Sequence, residues 1–87
     1  MFIERFIWDL DDEPNGNVQH IAEHGLSIDE VEEVLLAADE LLASHTSSRP
    51  IVFGETSTGK LIAVVFDIVD EDPMTVYPVT AYEPDAS

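Results

Sequence analysis

The pattern of apolar and polar positions in the first part of the chain predicts a strand, a loop and a short helix. Residues 2–8 (FIERFIW) are mostly aromatic or β-branched, which favours a strand. Residues 9–16 are dense in Asp, Asn, Pro and Gly and predict a loop. Asn17 is placed to cap a helix that runs to His24, and Gly25 stands where a left-handed C-cap belongs.

A second helix is predicted from Ser27, which forms a capping box with Glu30. Apolar side chains then recur at intervals of three and four residues, so they share one helix face, and acidic side chains occupy most other positions. These apolar positions are Ile28, Val31, Leu35, Ala38 and Leu42. The helix is expected to bury one face and to present an acidic face to solvent. Residues 44–48 (SHTSS) are polar and predict a connection.

Three apolar runs in the second half predict strands over residues 49–54, 61–69 and 74–82. The middle run is apolar on both faces until Asp67, as in a central strand. The intervening segments are of hairpin length, so the three strands should be sequential and antiparallel. Pro78 cannot donate a ladder hydrogen bond, which places the last strand at an edge or gives it a bulge.

The elements add up to one α+β domain over residues 1–87. Their predicted order is β-α-α-β-β-β, with two helices packed on one face of an antiparallel sheet. Eighty-seven residues suffice for a single domain with a small core.

Composition narrows the class of protein. The formal net charge is −16, yet 45% of the residues are hydrophobic, so the chain is expected to fold. It has no cysteine, which excludes a disulfide framework and a thiolate zinc site and agrees with a reducing compartment. No apolar run approaches the roughly 20 residues of a membrane span, and no signal peptide is evident. We therefore expect a cytoplasmic protein that does not bind membranes.

The charge also disfavours direct nucleic-acid binding. Affinity for the phosphate backbone comes from Lys and Arg, and this chain has only Arg5, Arg49 and Lys60. Aromatic residues in predicted strands could stack on bases, but such residues are more often half-buried parts of a sheet. These aromatic residues are Trp8, Tyr77 and Tyr82.

Residues 54–61 (GETSTGKL) nearly match the phosphate-binding loop G-x-x-x-x-G-K-[ST]. The last position is Leu61, which has no hydroxyl for magnesium and begins a β-branched run instead of a helix. We interpret the segment as a hairpin turn.

His20 and His24 have the spacing of the zinc motif H-x-x-E-H, with Glu83 as a distant third ligand. Gly25 ends the helix at once, and the domain is far smaller than such a protease. We therefore interpret His24 as a C-terminal helix residue that favours the helix dipole. Weak metal binding by the two imidazoles stays open as an alternative.

Two acidic segments are weaker metal candidates. Residues 11–17 (DDEPNGN) follow the calcium-loop pattern in part, but Glu13 and Ala22 stand at two ligand positions where the pattern has other residues. The carboxylates within residues 67–72 surround the last predicted hairpin and are interpreted as a solvated tip. No cofactor or metal is predicted.

Four segments together resemble the BrnT toxin family. They are residues 6–9 (FIWD), 24–31 (HGLSIDEV), 53–66 (FGETSTGKLIAVVF) and 76–81 (VYPVTA). The resemblance implies a RelE-like fold, ribonuclease activity, and a BrnA antitoxin that neutralises the toxin by direct binding. The predicted β-α-α-β-β-β order agrees with such a fold.

The sequence departs from this family where cationic side chains are expected. Asp12 stands where the family typically has a lysine after its Trp-Asp pair. Thr80 and Ala81 stand where it has an Arg-Lys pair that leads into a basic C-terminal helix. Metal-independent RNA cleavage needs positive groups that stabilise the developing charge, and removal of one such donor can cost roughly 10²- to 10³-fold in rate.

Three hypotheses follow. The first is a catalytically degenerate relative that acts through protein–protein interaction, with a basic protein or a cognate antitoxin attracted by the acidic surface. The second is a ribonuclease toxin of a type II toxin–antitoxin pair that cleaves RNA without a metal. The third is a protein that keeps only the fold, either alone or as a homodimer formed through an exposed sheet edge. The candidate catalytic residues are His24, Arg49, Lys60 and Tyr82.

Overall fold

A computed structural model describes residues 3–37, 42–43 and 50–84, which form a five-stranded sheet and two helices. In chain order the elements are β1 (Arg5–Phe6), α1 (Asn17–Glu23), α2 (Ile28–Ala37), β2 (Leu42–Ala43), β3 (Pro50–Glu55), β4 (Leu61–Glu71) and β5 (Met74–Tyr82). The strands lie in the order β1-β5-β4-β3-β2 across the sheet. The predicted α+β class is confirmed.

The second half of the chain forms the predicted hairpins. β3 and β4 are antiparallel neighbours, as are β4 and β5. β4 occupies the middle of the sheet, as its apolar run predicted. Pro78 lies opposite Phe66, at a register shift that follows Val65. The bulge accommodates a residue that cannot donate to the ladder, which confirms the prediction from Pro78.

The sheet is mixed, and the prediction of a wholly antiparallel sheet is wrong at one edge. β1 pairs with β5 in parallel, with Arg5 opposite Thr75 and Phe6 opposite Val76. After β1 the chain forms both helices and enters the sheet again at the opposite edge. The strands β2, β3, β4 and β5 then follow one another as antiparallel neighbours, and this brings β5 beside β1 at the other edge.

The second helix is shorter than its apolar periodicity predicted. The structure describes α2 over Ile28–Ala37, and Leu42 belongs to β2, where it lies opposite Ile51 of β3. The observed order is therefore β-α-α-β-β-β-β. A spacing of three or four residues between apolar positions cannot distinguish the last turn of a helix from a two-residue strand. The pairing of residues 42–43 with β3 decides that they form a strand. Ala38 and the predicted connection 44–48 lie outside the described residues.

One hydrophobic cluster joins both helices to the same face of the sheet. Ile62, Val64 and Phe66 alternate along β4 toward this cluster and are fully buried. From the helices, the cluster contains Ile21, Val31, Val34 and Leu35. α1 packs on β5, whereas α2 packs on β3 and β4. Both helices thus share one core on one side of the sheet.

Local capping follows the sequence in α2 but not in α1. The Ser27 backbone N–H donates to Glu30 Oε1 at 3.0 Å, and the Glu30 N–H donates to Ser27 Oγ at 3.3 Å, so the predicted capping box is confirmed. Gly25 has a φ of +77°, as predicted for the left-handed position after α1. The prediction that Asn17 caps α1 is wrong, because Gly16 is the N-cap residue and the Asn17 side chain bonds elsewhere.

In the described part of the chain, neither helix has the length and apolar character needed to cross a membrane.

Candidate functional site

Three of the four candidate catalytic residues gather at one end of the sheet. Lys60 immediately precedes β4 and Tyr82 is the last residue of β5. Because β4 and β5 are antiparallel, with Ala63 opposite Tyr82, the start of β4 and the end of β5 lie side by side. His24, the residue that follows α1, reaches this end through its contact with Tyr82. We call His24, Lys60 and Tyr82 the candidate cluster.

The rings of His24 and Tyr82 lie close enough to interact. Their centroids are 6.5 Å apart, with an angle of 57° between the ring planes. Aromatic pairs in proteins prefer such tilted arrangements over a face-to-face stack. Since His24 is exposed and Tyr82 is half-buried, the pair is accessible from solvent. An imidazole and a phenol in one accessible place are groups that can exchange protons with a bound molecule.

The cation of the candidate cluster is already paired. Lys60 Nζ lies 2.8 Å from Glu30 Oε2, and the two side chains are 30% and 23% exposed. The hydrogen bond to Glu30 raises the pKa of Lys60, and the negative charge of Glu83 acts in the same direction. Reciprocally, the hydrogen bond from Lys60 lowers the pKa of Glu30. The ammonium therefore keeps its charge near neutral pH, but that charge is directed at a carboxylate.

Arg49, the fourth candidate, lies outside the described residues. Arg5 is the other Lys or Arg residue within the described ranges, and it is exposed on β1 opposite Thr75. Thr75 is near the start of β5, whereas Tyr82 ends that strand. At about 3.3 Å per residue this separation is about 23 Å. Arg5 is therefore too far away to complete a phosphate site at the candidate cluster.

His20 and His24 lie close together at the end of α1, but among the described residues no third metal ligand joins them. The rings of His20 and His24 have centroids 5.7 Å apart, as expected for residues four apart on a helix. Over residues 3–37, 42–43 and 50–84, no group of three or more His, Asp and Glu side chains is arranged to hold a metal ion. In this part of the chain Glu83 does not join the two histidines as a third ligand.

The segment that resembles a phosphate-binding loop is a hairpin turn. The Thr56 N–H donates to the Lys60 carbonyl at 2.9 Å, and the Gly59 N–H donates to the Thr56 carbonyl at 2.9 Å. Gly59 has a φ of +88°, which a residue with a Cβ rarely adopts. Leu61 then begins β4 and not a helix, so the hairpin interpretation is confirmed.

The loop that resembles a calcium site is held by a network around Asn17. Its side chain is buried; Oδ1 accepts from the Asp9 N–H at 2.8 Å, while Nδ2 donates to the Ile7 and Pro78 carbonyls at 3.0 and 2.9 Å. The Tyr77 hydroxyl donates to Asp9 Oδ2 at 2.5 Å. Asn17 holds β1, β5 and α1 together and is not positioned as a calcium ligand.

The aromatic residues and the acidic hairpin are arranged as predicted, except that Asp67 is half-buried. Asp70, Glu71 and Asp72 are exposed at the tip between β4 and β5. The aromatic residues Trp8, Tyr77 and Tyr82 are half-buried. Trp8 packs against the core and donates its Nε1–H to Glu32 at 2.8 Å.

Comparison with protein-family models, with curated proteins and with solved structures gives no match for this chain.

Two relationships in this region could not be read from the sequence. The ion pair joins residues 30 positions apart, and Glu30 shows locally only the signature of a capping box. The bond between Tyr77 and Asp9 spans 68 positions. Neither pair has a local sequence signal, because its partners are brought together only by the tertiary fold. The start of β4 brings Lys60 to Glu30, and β5 brings Tyr77 to Asp9.

Proposed function

We propose that this protein is a catalytically degenerate relative of the BrnT and RelE-like toxins and that it acts by binding a basic protein partner. The observation that carries the proposal is the Lys60–Glu30 ion pair at 2.8 Å within the candidate cluster. A RelE-like ribonuclease would need a free cation there. In this protein the ammonium group of Lys60 is paired with the carboxylate of Glu30 instead.

The charge distribution supports the same proposal. Catalysis of phosphodiester cleavage depends on positive groups that stabilise a developing negative charge. In the described part of the chain, the candidate cluster has Lys60 as its cation, Glu30 as its counter-ion and Glu83 as a further negative charge beside it. With a net charge of −16, RNA would be repelled and a basic protein attracted. The cytoplasm as the place of action is part of this proposal.

A ribonuclease is the second candidate, and the His24–Tyr82 contact favours it. A ring pair at 6.5 Å can supply a general acid and a general base. Another particle, such as the ribosome, would then have to present the RNA and supply the positive charge that stabilises the transition state. The third hypothesis, a monomeric or dimeric protein that keeps the fold without a toxin role, has no specific contact in its favour among the described residues.

Expression of the wild-type chain from a tightly controlled promoter separates the first two functions. Growth and total-RNA integrity are followed beside the variants His24→Ala and Arg49→Ala. We expect all three strains to grow alike with intact RNA. Growth arrest and RNA fragmentation by the wild type, both lost in either variant, would establish the ribonuclease instead.

The proposed binding of a basic protein is tested by its dependence on ionic strength. We expect the immobilised chain to retain basic proteins at low ionic strength and to release them as salt is added, because the Debye length falls from about 10 Å at 0.1 M to about 3 Å at 1 M. An immobilised acidic protein of similar net charge and different fold is the control for ion exchange. Retention of the same proteins by both would contradict a specific partner.

A further inference from the structure

An open groove lies on the surface between the two helices, and we call it the α1–α2 groove. Its volume is about 510 Å³. The apolar side chains of the groove are Val18, Ile21, Ala22, Leu26 and Ile28. Ile21 and Leu26 belong to the buried core, whereas Val18 and Ile28 are half-buried and Ala22 is exposed. The groove is thus floored by the core itself.

Carboxylates accompany this apolar floor. Asp11, from the loop before α1, and Asp29, from the first turn of α2, both line the groove and are exposed. Ser27 is the other polar residue that lines it, and no Lys or Arg does so among the described residues. The surface thus combines an apolar centre with negative charge.

We infer that the α1–α2 groove binds an amphipathic, basic helical segment of a partner protein. This inference rests on the proposed function and assigns that function to one surface. A helix that docks in a groove inserts apolar side chains at intervals of three and four residues. Lys or Arg at the borders of that apolar stripe would meet Asp11 and Asp29.

Charge complementarity selects this occupant over a second copy of the chain. Two copies would bring together two molecules of net charge −16. Like charges at an interface oppose association, whereas opposite charges steer encounter and raise its rate. The apolar lining residues that stay partly exposed, Val18, Ala22 and Ile28, in turn distinguish a peptide with an apolar stripe from a purely polycationic one, which would not bury them.

The test uses synthetic peptides as probes, because the natural partner is not identified. The first probe is a peptide of about 18 residues composed of Leu and Lys, with Leu at helical spacing. A second probe has the same composition in an order without an apolar stripe, and a third has Glu in place of Lys. Binding of each labelled peptide to the full chain is measured by fluorescence anisotropy at low and at moderate salt.

Two variants test the groove and one controls for net charge. Asp11→Asn combined with Asp29→Asn removes two charges from the groove, and Ala22→Trp fills it with a large side chain. Asp70→Asn combined with Asp72→Asn removes two charges from the distant hairpin tip, where both residues are exposed. Thermal unfolding of each variant verifies that it folds.

We expect the amphipathic Leu/Lys peptide to bind at least about tenfold more tightly than the reordered peptide, and the Glu peptide not to bind. The groove charge variant should weaken binding about fivefold, and Ala22→Trp about tenfold or more, while the hairpin variant changes it less than about twofold. Amide shifts in an NMR titration should concentrate on residues 18–29.

Two results would overturn the inference and separate it from the proposed function. Tight, salt-sensitive binding that the groove variants and the hairpin variant weaken equally would place the basic peptide elsewhere, and the interaction function would stand without the groove. Absence of binding by either Lys-containing peptide at low salt would remove both the groove and the attraction to basic partners.

Discussion

Asp9 and Asn17 hold each other through two reciprocal hydrogen bonds. The Asn17 N–H donates to Asp9 Oδ2 at 2.9 Å, and the Asp9 N–H donates to Asn17 Oδ1 at 2.8 Å. The pair closes the loop between β1 and α1. Because Asn17 Nδ2 also reaches the carbonyl of Pro78, the closed loop is fastened to the neighbouring strand β5.

Asn17→Ala is expected to destabilise the fold by about 2–3 kcal/mol. The substitution removes three side-chain hydrogen bonds, which leaves the Asp9 N–H and the carbonyls of Ile7 and Pro78 without this partner. Only the bond to Pro78 is fully buried, and an unsatisfied buried group costs about 1–3 kcal/mol. Urea unfolding followed by the fluorescence of Trp8 measures the loss. Asn15→Ala, an exposed residue of the same loop, is the matched control and should change stability by less than about 0.5 kcal/mol. Equal losses in the two variants would refute a structural role for Asn17.

Asp9→Asn is expected to change how stability depends on pH. Hydrogen bonds from Tyr77 and from the Asn17 backbone lower the pKa of Asp9. A lowered carboxylate pKa stabilises the folded state above the pKa of the unfolded chain, and this stabilisation is lost as the pH falls through the folded-state value. The difference in melting temperature between wild type and variant should therefore be largest near neutral pH and should shrink below about pH 4.

Melting curves from about pH 7 to about pH 2.5 measure this difference, with Asp12→Asn as a control for the removal of one charge from the same loop. Relief of self-repulsion on acidification acts on all the proteins and cancels in the comparison. A difference between wild type and Asp9→Asn that is constant over the whole range would contradict the prediction.

Gly54→Ala is expected to destabilise the fold through one contact with α2. A Cβ at this position would lie 2.8 Å from Val34 Cγ1, closer than real Cβ atoms approach. Overpacking of this kind costs about 1–3 kcal/mol. In a Val34→Ala background the same substitution should be much less costly, with a coupling energy of about 1 kcal/mol or more. Additive losses in this double-mutant cycle would show that Val34 is not the cause.

Ser27→Ala is expected to destabilise α2 by about 1 kcal/mol, the usual contribution of an N-cap side chain. Ser27 Oγ accepts from the Glu30 N–H, and alanine cannot replace it. Ser57→Ala, at an exposed serine in the β3–β4 turn, is the control in the same unfolding experiment. If Ser57→Ala cost as much, the capping box would not be the source of the effect.

The features that the sequence predicted correctly have local signals. The capping box of Ser27 and Glu30, the left-handed Gly25, the two hairpins and the central position of β4 each depend on a few neighbouring residues. The structure agrees with all of them. The bulge at Pro78 also follows from a single covalent fact, the missing N–H of proline.

The candidate site was predicted only in part. The motifs drew attention to His24, Lys60 and Tyr82, and the antiparallel pairing of β4 with β5 places them at one end of the sheet. That Lys60 is bound by a carboxylate was not predicted, because Glu30 lies on another element. This one contact changes the chemistry of the site from a free cation to a neutralised pair.

By itself, the amino-acid sequence determined both helices, the two hairpins, the capping box of α2, the left-handed Gly25 and a negative charge that disfavours nucleic acid. The tertiary structure alone decided that β1 runs parallel to β5, that Leu42 leaves the helix for a strand, and that Asn17 ties a loop to β5. It also decided the position of the α1–α2 groove. The reason is physical: hydrogen-bond patterns along the chain are set by adjacent residues, whereas pairing partners distant in sequence are chosen by the packing of the whole core.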